Sequence, residues 1–221
     1  MANYKNYWNT QFSKYNHIWG ETHSKSAEMA LSLFRKHKVN KILVPGSGYG
    51  RNSKLFSTSG FDVTGIEISE EACALAQKYD PATKLYNGSF LDDNIVQGRY
   101  QGIYCFNVLQ LFLKTDRIRF VHKSAQLLSP KGLMFFTGIS DQDDAFGQGE
   151  EVEENTFAVK PDKILHFFTL DDLKIHFEGF KILEVGDLED QVSHTLYGLK
   201  SYRIRYTVIA NSPLPGCARG R

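Results

Sequence analysis

The run Lys41-Ile42-Leu43-Val44-Pro45-Gly46-Ser47-Gly48-Tyr49-Gly50-Arg51-Asn52 begins apolar, breaks at a glycine-rich turn and leads into a helix. Strand, turn and helix in that order open a parallel α/β unit. Glycines let the backbone adopt positive φ and approach a ligand closely, so the turn is a candidate nucleotide-type site at the carboxyl end of the first strand. The spacing narrows the ligand. A dinucleotide fingerprint Gly-x-Gly-x-x-Gly needs glycine where this chain has Arg51, and a P-loop needs a closing Gly-Lys-Ser/Thr, which is absent. A nicotinamide oxidoreductase would share the fold but fails at Arg51.

Working outward, β-rich runs at 41–44, 61–66, 84–86, 103–106 and 133–138 alternate with helical segments at 51–58, 69–78 and 114–128. This rhythm predicts a parallel sheet covered by helices on both faces. Ser69 followed by Glu70 and Glu71 is a helix N-cap with acids favouring the dipole. Ser129-Pro130-Lys131-Gly132 is a turn feeding the fifth strand. A helix at 170–177 and strands at 181–185 and 202–210 close the domain, the last two pairing as an antiparallel extension.

Two flanking segments stand apart. Residues 140–155 hold seven acids and no Lys or Arg, with glycines at 147 and 149, which reads as a loop at the sheet edge. From Lys200 the chain is purely basic, through Arg203, Arg205, Arg219 and Arg221. Solvated faces and a functional role are both open for this charge pattern. Residues 4–19 are crowded with Tyr4, Tyr7, Trp8, Phe12, Tyr15 and Trp19, either a helix packed on the sheet or a lid over a ligand.

Length and composition set the limits. With 221 residues, 42% hydrophobic and 23% charged, the chain suits one globular domain spanning 1–221. Its formal charge of +1 lacks the cationic field of most nucleic-acid binders, so no nucleic-acid partner is expected. No apolar run approaches a membrane span and the polar start at 1–11 is unlike a signal peptide, so no membrane partner and a cytoplasmic location are expected. Cys73, Cys105 and Cys217 form no zinc or disulfide pattern, so no metal is expected.

Glu67 ends the apolar strand Val63-Thr64-Gly65-Ile66, 21 residues beyond Gly46. A carboxylate there can accept hydrogen bonds from both ribose hydroxyls. A solvated helix-capping acid is the alternative for a lone Glu; with the glycine turn at this spacing, ribose binding is the expectation.

The sequence resembles the class I S-adenosylmethionine-dependent methyltransferases. The resemblance runs in order through Val-Pro-Gly-Ser-Gly-Tyr-Gly-Arg-Asn (44–52), Gly-Phe-Asp-Val-Thr-Gly-Ile-Glu-Ile-Ser (60–69), Asn-Gly-Ser-Phe-Leu-Asp (87–92), Tyr-Gln-Gly-Ile-Tyr-Cys-Phe-Asn-Val-Leu-Gln (100–110) and Leu-Leu-Ser-Pro-Lys-Gly (127–132). Residues 147–157 and 166–173 look like small-molecule members, including relatives of tellurite-resistance methyltransferases, and the Val44-Pro45 pair is similar to thiopurine-type enzymes. The resemblance implies a doubly wound, mostly parallel seven-stranded Rossmann-like sheet with an antiparallel last strand. It divides the chain into an N-terminal helical lid (1–38), a cofactor-binding core (40–140) and a substrate loop with sheet completion (141–221). It implies S-adenosyl-L-methionine as cofactor, with Gly46, Ser47 and Gly48 against the methionine portion, Arg51 and Asn52 beside them, and Glu67 with Ile68 at the ribose. Ser89 and Phe90 flank the adenine with Asp92 nearby, and Phe106 with Asn107 lines the methionyl end. Trp19 and Tyr15 are candidates to close over the ligand. Two departures stand out: most members carry an acid where this chain has Val44, leaving one amino-group contact open, and the usual Asp after Tyr100 is Gln101.

The expected reaction is in-line methyl transfer to a small-molecule acceptor, a thiol or chalcogen compound among the candidates, by alignment and desolvation. His166 is a weak catalytic candidate, a hydrogen-bonded core histidine being the alternative in its apolar context. Asp143, Glu154, His194 and Tyr197 are loop groups to which no role as base attaches. A non-catalytic S-adenosylmethionine-binding regulator is the alternative function, suggested by the lack of a recognisable base.

Overall fold

The computed structural model describes residues 4–213; Cys217, Arg219 and Arg221 of the sequence reading lie outside them. The helices are α1 (Tyr4–Tyr15), α2 (Lys25–Lys36), α3 (Ser53–Thr58), α4 (Glu70–Tyr79), α5 (Lys114–Leu127) and α6 (Leu170–His176). Five strands, β1 (Lys41–Pro45), β2 (Asp62–Glu67), β3 (Lys84–Asn87), β4 (Tyr100–Phe106) and β5 (Leu128–Ile139), pair in parallel. The later strands are β6 (Glu150–Glu153), β7 (Thr156–Lys160), β8 (Lys163–His166), β9 (Phe180–His194) and β10 (Gly198–Pro213). The main sheet runs β3-β2-β1-β4-β5-β10-β9, with β10 antiparallel to β5 and β9. This is the doubly wound, seven-stranded sheet with antiparallel closure that the motifs imply.

Strand alternation sorts the core into two layers. Ile42 and Val44 of β1, Tyr104 of β4 and Phe135 of β5 join Ala27, Ala30 and Phe34 of α2 and Phe56 of α3. Their neighbours Leu43, Cys105 and Phe136 join Phe120 and Val121 of α5 and Leu173 of α6. Caps fix where the helices begin: Ser24, Ser69 and Thr169 accept backbone N–H bonds from Ala27, Ala72 and Asp172 at 3.0–3.1 Å. Gln101 sits near the start of β4, its Oε1 accepting from Asn40 N at 2.8 Å and Lys41 N at 3.1 Å. It ties the two strand starts together, a local task for which an amide serves as well as an acid.

Three expectations are corrected. The turn at 129–132 lies within β5 as a bulge: the ladder jumps from Tyr100↔Leu128 to Gly102↔Leu133, and Lys131 has φ 63°. The late strands form one long hairpin, extending well beyond 181–185 and 202–210. The acidic segment is not loop throughout, because β6, β7 and β8 form a separate three-stranded antiparallel sheet. Its turns use Asn155 (φ 55°) and Pro161-Asp162 (Asp162 φ 59°), residues suited to tight reversals. The acids ahead of it meet the basic strand: Asp141 pairs with Arg205 at 2.6 Å and Asp144 with Arg203 at 3.2 Å, while Arg203 N donates to Asp143 at 2.8 Å. No helix of the described residues is long and apolar enough to cross a membrane.

Candidate active site

The strand order reverses between β1 and β4, the place where ligands bind in open α/β sheets. A cavity of about 420 Å³ opens there at the carboxyl ends of β1, β2 and β4. Its floor is the glycine turn. Gly46 has φ 66°, and a Cβ on it would meet Val108 Cγ2 at 2.3 Å, so only glycine fits. Gly48, at φ 58°, has open space on its cavity side up to Phe12 Cζ at 3.8 Å.

Glu67 closes β2 into the same cavity and is almost wholly buried. Gly48 N donates to its Oε2 at 2.9 Å and Ser69 N to its Oε1 at 2.8 Å. Each oxygen keeps a further acceptor position. Burial pushes the carboxyl up against the backbone donors of Ser69 and Gly48, so further donors would favour its anion.

Arg51 and Asp190 meet in the cavity wall, Nη2 and Oδ2 being 3.7 Å apart on side chains about 5% and 3% exposed. Each atom is buried and lacks a hydrogen-bond partner. The rest of both side chains is anchored: Arg51 Nε donates to Thr22 O at 2.7 Å and Lys25 N donates to Asp190 Oδ1 at 3.2 Å. Burial raises the Asp190 carboxyl, with the Lys25 N–H and the Arg51 charge opposing. Asn52 accepts from Ser24 N at 2.9 Å and thereby fixes the start of α2 beside the turn. After β4, Asn107 takes φ 54°, its N–H donating to Thr137 Oγ1 at 3.0 Å. Asparagine tolerates that left-handed backbone better than most residues.

The N-terminal aromatics form a roof. Tyr4, Trp8 and Phe12 of α1 line the cavity with Trp19 and Tyr49, whereas Tyr15 packs alongside without lining it. The tip of the β9–β10 hairpin holds this roof, Thr195 N donating to Ile18 O at 2.9 Å. Trp19, Gly46, Ser47, Gly48, Arg51, Asn52, Glu67, Ile68, Ser89, Phe90, Phe106 and Asn107 therefore share one cavity. Asp92 does not line it; its N–H donates to Ser89 O at 3.1 Å and its carbonyl accepts from Lys123.

His166, the candidate catalytic group, lies outside the cavity lining. It is 1% exposed, bonded through Nδ1 to Thr156 Oγ1 at 2.8 Å and through Nε2 to Asp172. His194, Tyr197, Asp143 and Glu154 are not in the lining either. Sequence reasoning misses Asp190, Lys163 and Tyr202, which reach the cavity from β9, β8 and β10. No local motif marks them, since the tertiary fold delivers each from a strand distant in sequence.

The model of the methyltransferase-domain family matches residues 23–185. No curated protein matches the chain. Among solved structures, a SAM-dependent methyltransferase from Anabaena variabilis ATCC 29413 superposes with a TM-score of 0.69 at 17% identity, covering 94% of this chain and 93% of that one. The 1,6-didemethyltoxoflavin-N1-methyltransferase of Burkholderia thailandensis, solved with 1,6-didemethyltoxoflavin and S-adenosylhomocysteine, gives 0.68 at 15% identity, covering 94% and 86%. TehB from Haemophilus influenzae gives 0.65 at 14% identity, covering 93% and 67%. At these identities the structures speak for the fold; the family match extends over most of the chain. The chain belongs to the methyltransferase-domain family, the class I S-adenosylmethionine-dependent methyltransferases that its motifs resemble.

Proposed function

We propose that the cavity holds S-adenosylmethionine along the ends of β1, β2 and β4, and that the methyl group passes to a small-molecule acceptor, a thiol or chalcogen compound, by in-line displacement. The observation that carries this reading is the pair of buried polar atoms without a hydrogen-bond partner, Arg51 Nη2 and Asp190 Oδ2, on side chains that line the cavity with Glu67 and the glycine turn. A donor and an acceptor of opposite charge side by side complement an amino-acid zwitterion: Arg51 for its carboxylate, Asp190 for its ammonium. Asp190 then supplies the acid missing at Val44. Glu67, with an acceptor position left on each oxygen, suits two adjacent ribose hydroxyls, and Phe90 offers an aromatic wall for a base.

The bound cofactor supplies an activated methyl sulfonium, so the remaining work is alignment and the exclusion of water. Trp8, Phe12, Trp19 and Tyr49 line the cavity and would exclude water from a bound cofactor and acceptor. Among the described residues no histidine or cysteine lines the wall. A thiol ionises far more readily than an alcohol and depends least on a base, which favours thiols and related chalcogen compounds.

The test is formation of S-adenosylhomocysteine with a panel of thiols and their matched alcohols, alongside calorimetric titration of S-adenosylhomocysteine. Binding with turnover of thiols is expected. Turnover of alcohols alone would overturn the acceptor chemistry, absence of turnover would support a purely binding protein, and absence of binding would overturn the cofactor site.

A further inference from the structure

From the small sheet the cavity receives one charged side chain, that of Lys163. Lys163 and Leu165 lie two apart in β8, share one face of the strand and both line the cavity. The Lys163 ammonium sits 6.0 Å from the centre of the Trp8 ring and, among the described residues, has neither an ion pair nor a hydrogen bond. Lys160 is opposite it in the β7–β8 ladder and repels it. Burial, and secondly Lys160, push the Lys163 amine down to about 8, which leaves it mostly charged at neutral pH. His194, on β9, feels the same field: burial and then Lys160, Lys163 and Lys200 all hold its imidazole down. The acid of the cavity wall on α5, Asp116, is paired with Arg119 at 3.0 Å. A half-buried ammonium beside another cation, with an aromatic ring as its neighbour, is stabilised when an anion joins it.

We propose that Lys163 reads an anionic group on the methyl acceptor, so that the acceptors are small, largely apolar molecules carrying a negative charge. The inference rests on the cavity being the shared cofactor and acceptor site. The apolar remainder of the acceptor lies against Leu165 and Trp8, while Lys160, opposite Lys163 in the ladder, adds to the attraction for anions.

Two probes of equal shape separate charge from fit: 2-naphthoate and neutral 2-naphthamide, titrated calorimetrically into the protein with and without saturating S-adenosylhomocysteine. The wild-type chain is expected to bind naphthoate at least tenfold more tightly than naphthamide. K163M and K163Q are expected to bring the two within about twofold, K163R to keep the preference, and all three to bind S-adenosylhomocysteine as the parent does. K163Q stands in if K163M fails to fold, which its S-adenosylhomocysteine affinity reports. Equal binding of the two probes by the wild-type chain, binding of neither, or a preference that survives in K163Q would overturn the proposal. Failure of the cofactor reading looks different, since S-adenosylhomocysteine would then give no heat while the naphthoate preference without it stands.

Discussion

His166 donates its Nε2–H to the Asp172 carboxylate, whose other oxygen lies 3.0 Å from His176 Nδ1, a nitrogen that also meets the Asp172 carbonyl at 2.8 Å. Arg117 Nε–H, which only donates, meets His176 Nε2 at 2.9 Å and so leaves the His176 proton on Nδ1, while Thr156 Oγ1 shares a hydrogen bond with His166 Nδ1 at 2.8 Å. Two imidazoles about one carboxylate thus join the small sheet to α6 and α5.

This network predicts acid lability. Burial holds the His166 imidazole below its ordinary value of 6.5. Burial works upward on Asp172, but the hydrogen bonds from His166 and His176 prevail and hold its carboxyl well below the ordinary range. Both folded values are depressed, so both contributions are complete at neutral pH and vanish as pH falls, that of His166 starting near 6.5 and that of Asp172 below about 4. Urea unfolding between pH 7.5 and 5.5 should lose stability with a slope of up to about 1.4 kcal/mol per pH unit for this proton. H166Q should flatten that slope, and D172N should cost about 2–4 kcal/mol at pH 7. An unchanged slope in H166Q would show that other groups control the acid limb.

The core of this fold was legible because its signals are local. Glycines at 46 and 48, the apolar run before them and the acid ending β2 each declare themselves within a few residues. Asp190 does not: it is one acid among several in an edge strand, and it matters because the hairpin carries it back over Arg51, more than a hundred residues away in sequence. The acidic segment misled for the same reason. Like charges over a short stretch read as solvated loop until Arg203 and Arg205 of β10 are seen beside them. His166 is ambiguous in sequence because an apolar context accompanies both core and catalytic histidines; its partners Thr156 and Asp172 come together only in the fold.

Removal of Glu67 should separate ribose recognition from adenine recognition. E67A is expected to weaken S-adenosylhomocysteine by about 1.5–3 kcal/mol, the scale of hydrogen bonds to a charged group. E67Q should also weaken it, because its amide NH₂ would face the Gly48 or Ser69 N–H that now donates to the carboxylate. Adenine alone should bind parent and variants alike. If adenosine and S-adenosylhomocysteine bind E67A as tightly as the parent, the carboxylate merely shapes the turn.

Asp190 makes a sharper distinction. D190N keeps the shape and an oxygen for the Lys25 N–H but removes the charge proposed to meet the ammonium. S-adenosylhomocysteine should bind about tenfold more weakly, about 1.4 kcal/mol, while 5′-deoxy-5′-methylthioadenosine, which lacks the amino-acid end, should be unaffected. Equal loss for both ligands would mean that Asp190 supports Arg51 and the hairpin without reading the amino acid.

The aromatic roof should tighten when the cavity fills. Helix α1 rests on α4 through exposed or half-buried contacts, Lys5 with Glu70 at 2.6 Å and Asn9 with Ser69 at 2.8 Å, and buries Phe12 as its anchor. Two of its other rings, Tyr4 and Trp8, face the cavity, so in the ligand-free chain their burial depends on a space that solvent can enter. Segments with so few internal anchors open at low free-energy cost, and a ligand beneath them raises that cost. The acidic stretch at 141–149 differs, because Arg203 and Arg205 already hold it. Hydrogen exchange with and without S-adenosylhomocysteine should therefore show amides of α1 gaining protection and those of 141–149 changing little. W8A should keep the unfolding midpoint within a few degrees of the parent while strongly reducing turnover, since water would reach the methyl donor. Equal exchange of α1 in both states, together with undiminished turnover in W8A, would make the roof simply core.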